Sequence, residues 1–210
     1  MQVQLAEFEA LRESVRKQLG QVHEAREVAL PKCRQAIRSC GLAIRAIHRD
    51  RTDERYKYTN EAREALEVAQ IALRPFPQIA AAGFLHDAEK EYAEARLTAA
   101  LVGGTSLPSH VEIGVQLAAW LNGLAEAASE LRRNLLDRLR EGQTQSAEIL
   151  FETMEGAYDL LVTVDYPDAI TGGLRRTTDA LRAVVERSRS DLTTTLIQER
   201  LQRALSDKSP

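Results

Sequence analysis

Apolar residues recur every three or four positions over nearly the whole of this chain, and nowhere do they alternate with polar residues between hairpin turns. A chain with that period makes helices and no strands, so the fold class is all-α. Leu5, Phe8, Leu11, Val15 and Leu19 carry the pattern over residues 3–28, and it resumes over residues 30–49 after Pro31. That proline either begins a new helix or kinks a single long one. Thr52 or Asp53 serves as N-cap of a helix reaching Leu73, where Arg74-Pro75-Phe76-Pro77 breaks it. Further helices are expected over residues 78–102, 109–140, 144–163 and 174–205. Gly103-Gly104-Thr105-Ser106-Leu107-Pro108 is the clearest loop, and residues 165–173 form a polar, turn-rich segment.

Composition agrees with helix-on-helix packing. Of the 210 residues 44% are hydrophobic and 28% charged, but only 5% are aromatic, and alanine, leucine, arginine and glutamate are abundant. No loop is long enough to separate domains, so one helical domain is expected over residues 1–205, with 206–210 as a disordered tail. Cys33 and Cys40 lie seven residues apart on one helix face, about 10 Å along the axis, too far to pair, and read as reduced core cysteines. No apolar run approaches the ~20 residues that span a bilayer, and the N-terminal residues are polar and amphipathic rather than signal-like. A cytoplasmic protein without membrane contact is expected. The net charge of −3 exerts no general pull on polyanions, so any nucleic-acid site must come from local clustering.

Such a cluster exists between Lys32 and Arg51, where six Lys/Arg residues accompany one acid, Asp50. On a helix, Arg34, Arg38, Arg45 and Arg49 fall within roughly 60° of one another, beside an apolar arc about 100° wide formed by Leu30, Cys33, Ile37, Cys40, Ile44 and Ile47. His48 extends the patch. Arginines at this spacing bind phosphates bidentately and stack on unpaired bases. The other reading is a solvated face paired with acids of a neighbouring helix, such as Glu61, Glu64 and Glu67. Arg175 and Arg176, preceded by Gly172 and Gly173 at a helix start, suit a phosphate, or are simply two exposed arginines after a turn.

Two carboxylate pairs carry the other possible chemistry. Glu91 and Glu94 are three apart and Glu126 and Glu130 four apart, so each pair shares a helix face. Facing each other they suit Mg²⁺ or Mn²⁺; otherwise they are ordinary surface glutamates. The four histidines are scattered without His-x-x-x-His or Glu-x-x-His spacing, which supports neither a zinc site nor a di-iron centre. Phosphate-binding Gly-x-x-x-x-Gly-Lys and nucleophile-elbow Gly-x-Ser-x-Gly motifs are absent.

Four segments in order resemble the translin family, particularly its prokaryotic members, over roughly residues 25–190. They are Ala43-Ile44-Arg45-Ala46-Ile47-His48-Arg49, the stretch from Ala82 through Glu91-Tyr92-Ala93-Glu94-Ala95, the stretch from Asn122 through Glu126-Ala127-Ala128-Ser129-Glu130, and Asp165-Tyr166-Pro167-Asp168 through Arg175-Arg176. The resemblance implies a seven-helix-type bundle assembling into a hollow homo-oligomer, commonly an octamer, around single-stranded RNA or single-stranded DNA. The family has a binding branch, translin, and a catalytic branch, translin-associated factor X, a metal-dependent endoribonuclease. The catalytic branch builds its site from Glu-Tyr-x-Glu-Ala and Asp-x-x-x-Glu motifs. Here Glu91 and Glu94 match the first, and Glu130 matches the second, but Glu126 stands in place of the aspartate. One added methylene moves a ligand oxygen by about an ångström, and Mg²⁺ tolerates poor geometry badly, so either weakened activity or a shift toward Mn²⁺ is expected. The resemblance thus implies Glu91, Glu94, Glu126 and Glu130 as metal ligands and catalytic residues. Arg34, Arg38, Arg45, His48, Arg49, Arg175 and Arg176 are the expected nucleic-acid contacts, with single strands fitting and duplexes fitting poorly.

Overall fold

The computed structural model describes residues 2–206, with side chains from residue 7 onward. Every regular element among them is helical: α1 (Gln2–Ile47), α2 (Thr52–Leu73), α3 (Pro77–Ala80), α4 (Phe84–Gly103), α5 (His110–Ile113), α6 (Leu117–Arg140), α7 (Thr144–Val162), α8 (Asp168–Thr171) and α9 (Leu174–Ser206). Six long helices form the bundle, and three single turns join them. The expected tail over 206–210 begins with Ser206, the last residue of α9, and otherwise lies outside the described residues.

Pro31 lies inside α1, which runs through it as one element. Two expected helices are each divided by a glycine in the left-handed region. Gly83 (φ 96°) separates α3 from α4, and Gly114 (φ 69°) separates α5 from α6. Ser109 closes a capping box on Glu112, whose carboxylate accepts from the Ser109 N–H at 2.7 Å, so the helix foreseen from 109 does begin there but lasts one turn. The N-cap foreseen at Thr52 or Asp53 is instead Arg51, with no side-chain cap.

α1 packs along α2 and α4, α4 along α6, and α6 along α7 and α9. Small side chains line these seams. Ala29, Cys33, Ala36, Cys40 and Ala43 of α1, Ala62, Ala65 and Ala69 of α2, Ala88, Ala93 and Ala95 of α4, and Ala125, Ala127 and Ala128 of α6 are all buried. Alanine at a crossing lets helix axes approach toward the lower end of the usual 8–10 Å range. The buried arc of α1 is therefore rotated from the expected one: Leu30, Ile37 and Ile44 are half-buried, while alanines between them take the core positions. Both cysteines are free and buried as expected. Burial pushes the Cys33 thiol up to about 11, with Glu89 and Asp87 adding to it, so Cys33 is protonated and inert at neutral pH.

The N-terminal half of α1 reaches past its partners. Phe8, Leu11, Val15 and Leu19 are 66%, 58%, 51% and 63% exposed, so a stripe with core-like spacing faces outward. Among the described residues, no helix is long and apolar enough to cross a membrane.

Candidate metal centre and arginine face

The centre of the molecule is the crossing of α4 and α6. Gly123 sits at its tightest point: a Cβ there would lie 2.7 Å from the Ala93 Cβ and 2.9 Å from both the Glu94 N and the Lys90 carbonyl oxygen. No other residue type permits that approach. It places the Glu91 and Glu94 face of α4 against the Glu126 and Glu130 face of α6, so that carboxylate oxygens of Glu91, Glu94 and Glu126 lie within 4.8 Å of one another. Three carboxylates this close can hold a metal ion.

The electrostatics reflect the crowding. Glu94 is buried, and burial foremost, followed by the charges of Glu91, Glu126 and Glu130, pushes its carboxyl up to about 8. Burial also raises Glu91, against the partial relief given by Lys90. A carboxylate triad under this strain favours any cation brought into it, and one cation of the chain itself is already there. The Lys90 ammonium donates to Glu126 Oε1 at 2.8 Å and lies 3.5 Å from Glu91 Oε1. Burial works to lower the Lys90 pKa, but the hydrogen bond and charges of Glu126 and Glu91 outweigh it and the net shift is upward.

The fourth expected ligand is engaged elsewhere. Nε2–H of His48 donates to Glu130 Oε2 at 2.6 Å, and its Nδ1 lies 3.2 Å from the Asn134 side-chain amide. His48, expected on the basic patch, has a side chain only 4% exposed and ties the end of α1 to α6. Glu130 therefore flanks the triad rather than joining it.

Arg34, Arg38 and Arg45 are exposed on the face of α1 turned away from its buried alanines, whereas Arg49, also exposed, lies in the turn after Ile47, where the helix expected to reach 49 has already ended. Of the acids that might have neutralised them, Glu61 accepts from the Ser39 hydroxyl at 3.4 Å and Glu67 pairs with Arg63 at 3.8 Å, and among the described residues none of Glu61, Glu64 and Glu67 pairs with an arginine of the stripe. Among the described residues, Arg34, Arg38 and Arg49 have no side-chain partner, and Arg45 donates only to the Gly41 carbonyl oxygen. The stripe is open charge.

Arg175 and Arg176 are exposed at the start of α9. Arg175 lines a groove of about 730 Å³ that also contains Asp165, Asp168 and Asp179, apart from the carboxylate triad. Of the two glycines before it, Gly172 serves packing, while Gly173 (φ 82°) has open space around it. Gly172 (φ 63°) is pressed against the His86 ring, 2.8 Å from where a Cβ would stand. Beside it the buried Asn122 amide donates to the Thr171 carbonyl at 2.8 Å and its Oδ1 accepts from the Thr177 hydroxyl at 2.7 Å. The segment from Asp165 to Arg176 is thereby docked on the start of α6. The sequence alone assigns no role to Lys90, Asn122 or Gly123; Gly123 next to Asn122 inside an alanine-rich helix is the one visible sign of a close crossing.

No family model matches the chain. Among solved structures it is similar to AfC3PO from Archaeoglobus, at 34% identity and a TM-score of 0.80 over 89% of this chain and 97% of that one. The chain belongs to the translin family. AfC3PO in a complex with duplex RNA is matched equally well, at 33% identity and a TM-score of 0.80 over 89% of this chain and 96% of that one. NeC3PO from Neurospora without ligand is 17% identical, with a TM-score of 0.78 over 87% of this chain and 96% of that one, a likeness of fold alone. An uncharacterized protein of Methanocaldococcus jannaschii is 29% identical over 178 residues, 84% of this chain and 78% of its own length. Within this translin-family chain, the triad and its lysine occupy the helices that the family resemblance marked for catalysis.

Proposed function

We propose that this translin-family protein binds RNA and cleaves it with a divalent cation held by Glu91, Glu94 and Glu126. The observation that carries this reading is the convergence of those three carboxylates within 4.8 Å, at a crossing that only Gly123 permits. Like charges brought together at such electrostatic cost imply a cation to relieve them. Mg²⁺ or Mn²⁺, once bound, supplies Lewis-acid polarisation of the scissile phosphate and of the attacking water. Glu94, whose raised pKa retains a proton near neutrality, would have to release it before its carboxylate could hold a cation, so cation binding would strengthen with pH. Glu130, oriented by His48, is placed beside the triad to accept a hydrogen bond from an incoming group. The Arg34, Arg38, Arg45 and Arg49 face supplies phosphate contacts without base specificity. Arg175 and Arg176 are proposed as weaker contacts because acids share the Arg175 groove.

The oligomeric shell, an octamer in the family resemblance, is supported by the outward Phe8, Leu11, Val15 and Leu19 stripe of α1 and by Ile197, Leu201 and Leu205 of α9, each more than half exposed. A cytoplasmic location goes with this reading. The substrate class is single-stranded RNA, with single-stranded DNA as a second ligand. Because AfC3PO forms a complex with duplex RNA, duplexes belong in the test rather than outside the specificity.

A second reading, a non-catalytic nucleic-acid-binding scaffold, is favoured by one observation: Lys90 already pairs with Glu91 and Glu126. Labelled single-stranded and duplex RNA incubated with Mg²⁺, Mn²⁺ or EDTA separates the two. Metal-dependent cleavage that disappears in Glu91→Ala/Glu94→Ala while binding persists is the expected result. Binding without cleavage under every metal leaves the scaffold.

A further inference from the structure

Among the described residues, Lys90 is the one cation paired with a member of the carboxylate triad. Its position is fixed by the fold rather than by side-chain drift. The Lys90 carbonyl oxygen is one of the atoms that closes on Gly123, so its backbone stands at the narrowest point of the α4–α6 crossing. From there the side chain reaches across to Glu126 on α6 at 2.8 Å while lying 3.5 Å from its own neighbour Glu91. The two glutamates it joins belong to different helices, which is what a bridging divalent ion does. Its side chain is 22% exposed and those of Glu91 and Glu126 are 28% and 31%, so the mouth of the triad opens toward solvent and a path exists for exchange. An ammonium is a compact point charge on a flexible stem, able to enter and leave such a site without moving the helix that carries it.

We propose that Lys90 is a built-in competitor for the divalent cation: its ammonium closes the triad in the metal-free protein and swings to the rim when the ion enters. This rests on the metal reading given above and adds its regulation. A ligand that must displace an internal group binds more weakly by the stability of the interaction it breaks. The site thus trades affinity for a folded metal-free state whose negative charge is partly compensated, and loads only where the free cation is plentiful.

The test uses Mn²⁺ alone, titrated into the purified full-length chain and followed by the loss of the free-ion electron paramagnetic resonance signal, with no nucleic acid present. Lys90→Gln is expected to tighten Mn²⁺ binding by about fivefold, the factor matching loss of one partly exposed ion pair. Lys90→Arg, which keeps the charge, stays near wild type. Binding in Lys90→Gln but none in wild type also supports the competitor. Equal or weaker binding in Lys90→Gln, with binding abolished in Glu91→Ala/Glu94→Ala, overturns the competitor while the metal site stands. No binding in wild type or in Lys90→Gln overturns both.

A measurement on the unaltered protein guards against misfolding of the variant. Reductive methylation of Lys90, read by peptide mass spectrometry, should proceed severalfold faster with Mg²⁺ than without it, because the ammonium is released. An unchanged rate contradicts the exchange.

Discussion

The arginine face of α1 and the carboxylate triad of α4 and α6 are both clusters of like charge, yet they are built in opposite ways. Arg34, Arg38 and Arg45 are spread along one helix, with Arg49 in the turn that follows it, all exposed and screened by water, so their mutual repulsion is small. Glu91, Glu94 and Glu126 come from two helices, sit partly or wholly out of water, and have oxygens within 4.8 Å. The first cluster costs the fold almost nothing and is available to any polyanion. The second is a standing electrostatic load that the fold carries through Gly123 and moderates through Lys90. Stability measurements should therefore be sensitive to one cluster and blind to the other.

The largest effect expected is on the pH dependence of the metal-free protein. The Glu94 carboxyl is held up at about 8, whereas an unfolded glutamate titrates near ~4.3. Between those values the folded state binds the extra proton, so stability is greatest at the acid end of the window and is lost as pH rises through it. The loss from pH 5 to 8 should be about 3 kcal/mol, measured by urea unfolding in EDTA. Glu94→Gln should flatten most of that slope and leave the variant more stable than wild type at pH 8. An equal slope in the variant would assign the load to other residues.

Next in size is the crossing itself. Gly123→Ala should destabilise by about 2 kcal/mol, within the overpacking range, because two of the three atoms it meets are backbone and cannot step aside. The same change should weaken Mn²⁺ binding by parting the two carboxylate faces. Gly41→Ala on α1 is the control. Nothing lies within 4 Å of its added methyl, so it should stabilise by roughly 0.5–1 kcal/mol through helix propensity alone. Destabilisation of similar size by both substitutions would remove Gly123 from its special role.

These two clusters also mark what is legible in the sequence alone. The arginine stripe depends only on the period of one helix, and projection of residues 30–49 places Arg34, Arg38 and Arg45 together on an exposed face as found, while Arg49 is exposed beyond the helix end at Ile47. The two carboxylate pairs are likewise visible within each helix. Their meeting is not, because it depends on which helices cross and how closely, and that information sits in Gly123 and the flanking alanines rather than in the glutamates. Lys90 beside Glu91 reads as an ordinary neighbouring ion pair until Glu126 is known to lie opposite. His48 looks like part of the basic patch because it follows Arg45 at near-helical spacing, but the turn after α1 carries it inward to Glu130. The glycines that divide two long helices, Gly83 and Gly114, escape notice because the apolar period continues on both sides.

The smallest expected change in stability belongs to the arginine face, and there the absence of an effect is informative. Arg38→Gln combined with Arg45→Gln removes no ion pair, since Arg38 has no side-chain partner among the described residues and Arg45 donates only to a backbone carbonyl of its own helix. Unfolding free energy should stay within about 0.5 kcal/mol of wild type. Nucleic-acid binding should respond instead. Removing one arginine–phosphate pairing lowers the slope of log affinity against log salt by roughly 0.7 for a single strand, so two arginines account for about 1.4. The weakening should be nearly the same for unrelated sequences, because phosphate contacts carry no base information. A salt slope left unchanged by the double substitution would mean that this open face is not where the strand lies. Nucleic acid would then have to reach the carboxylate triad from another side of the bundle.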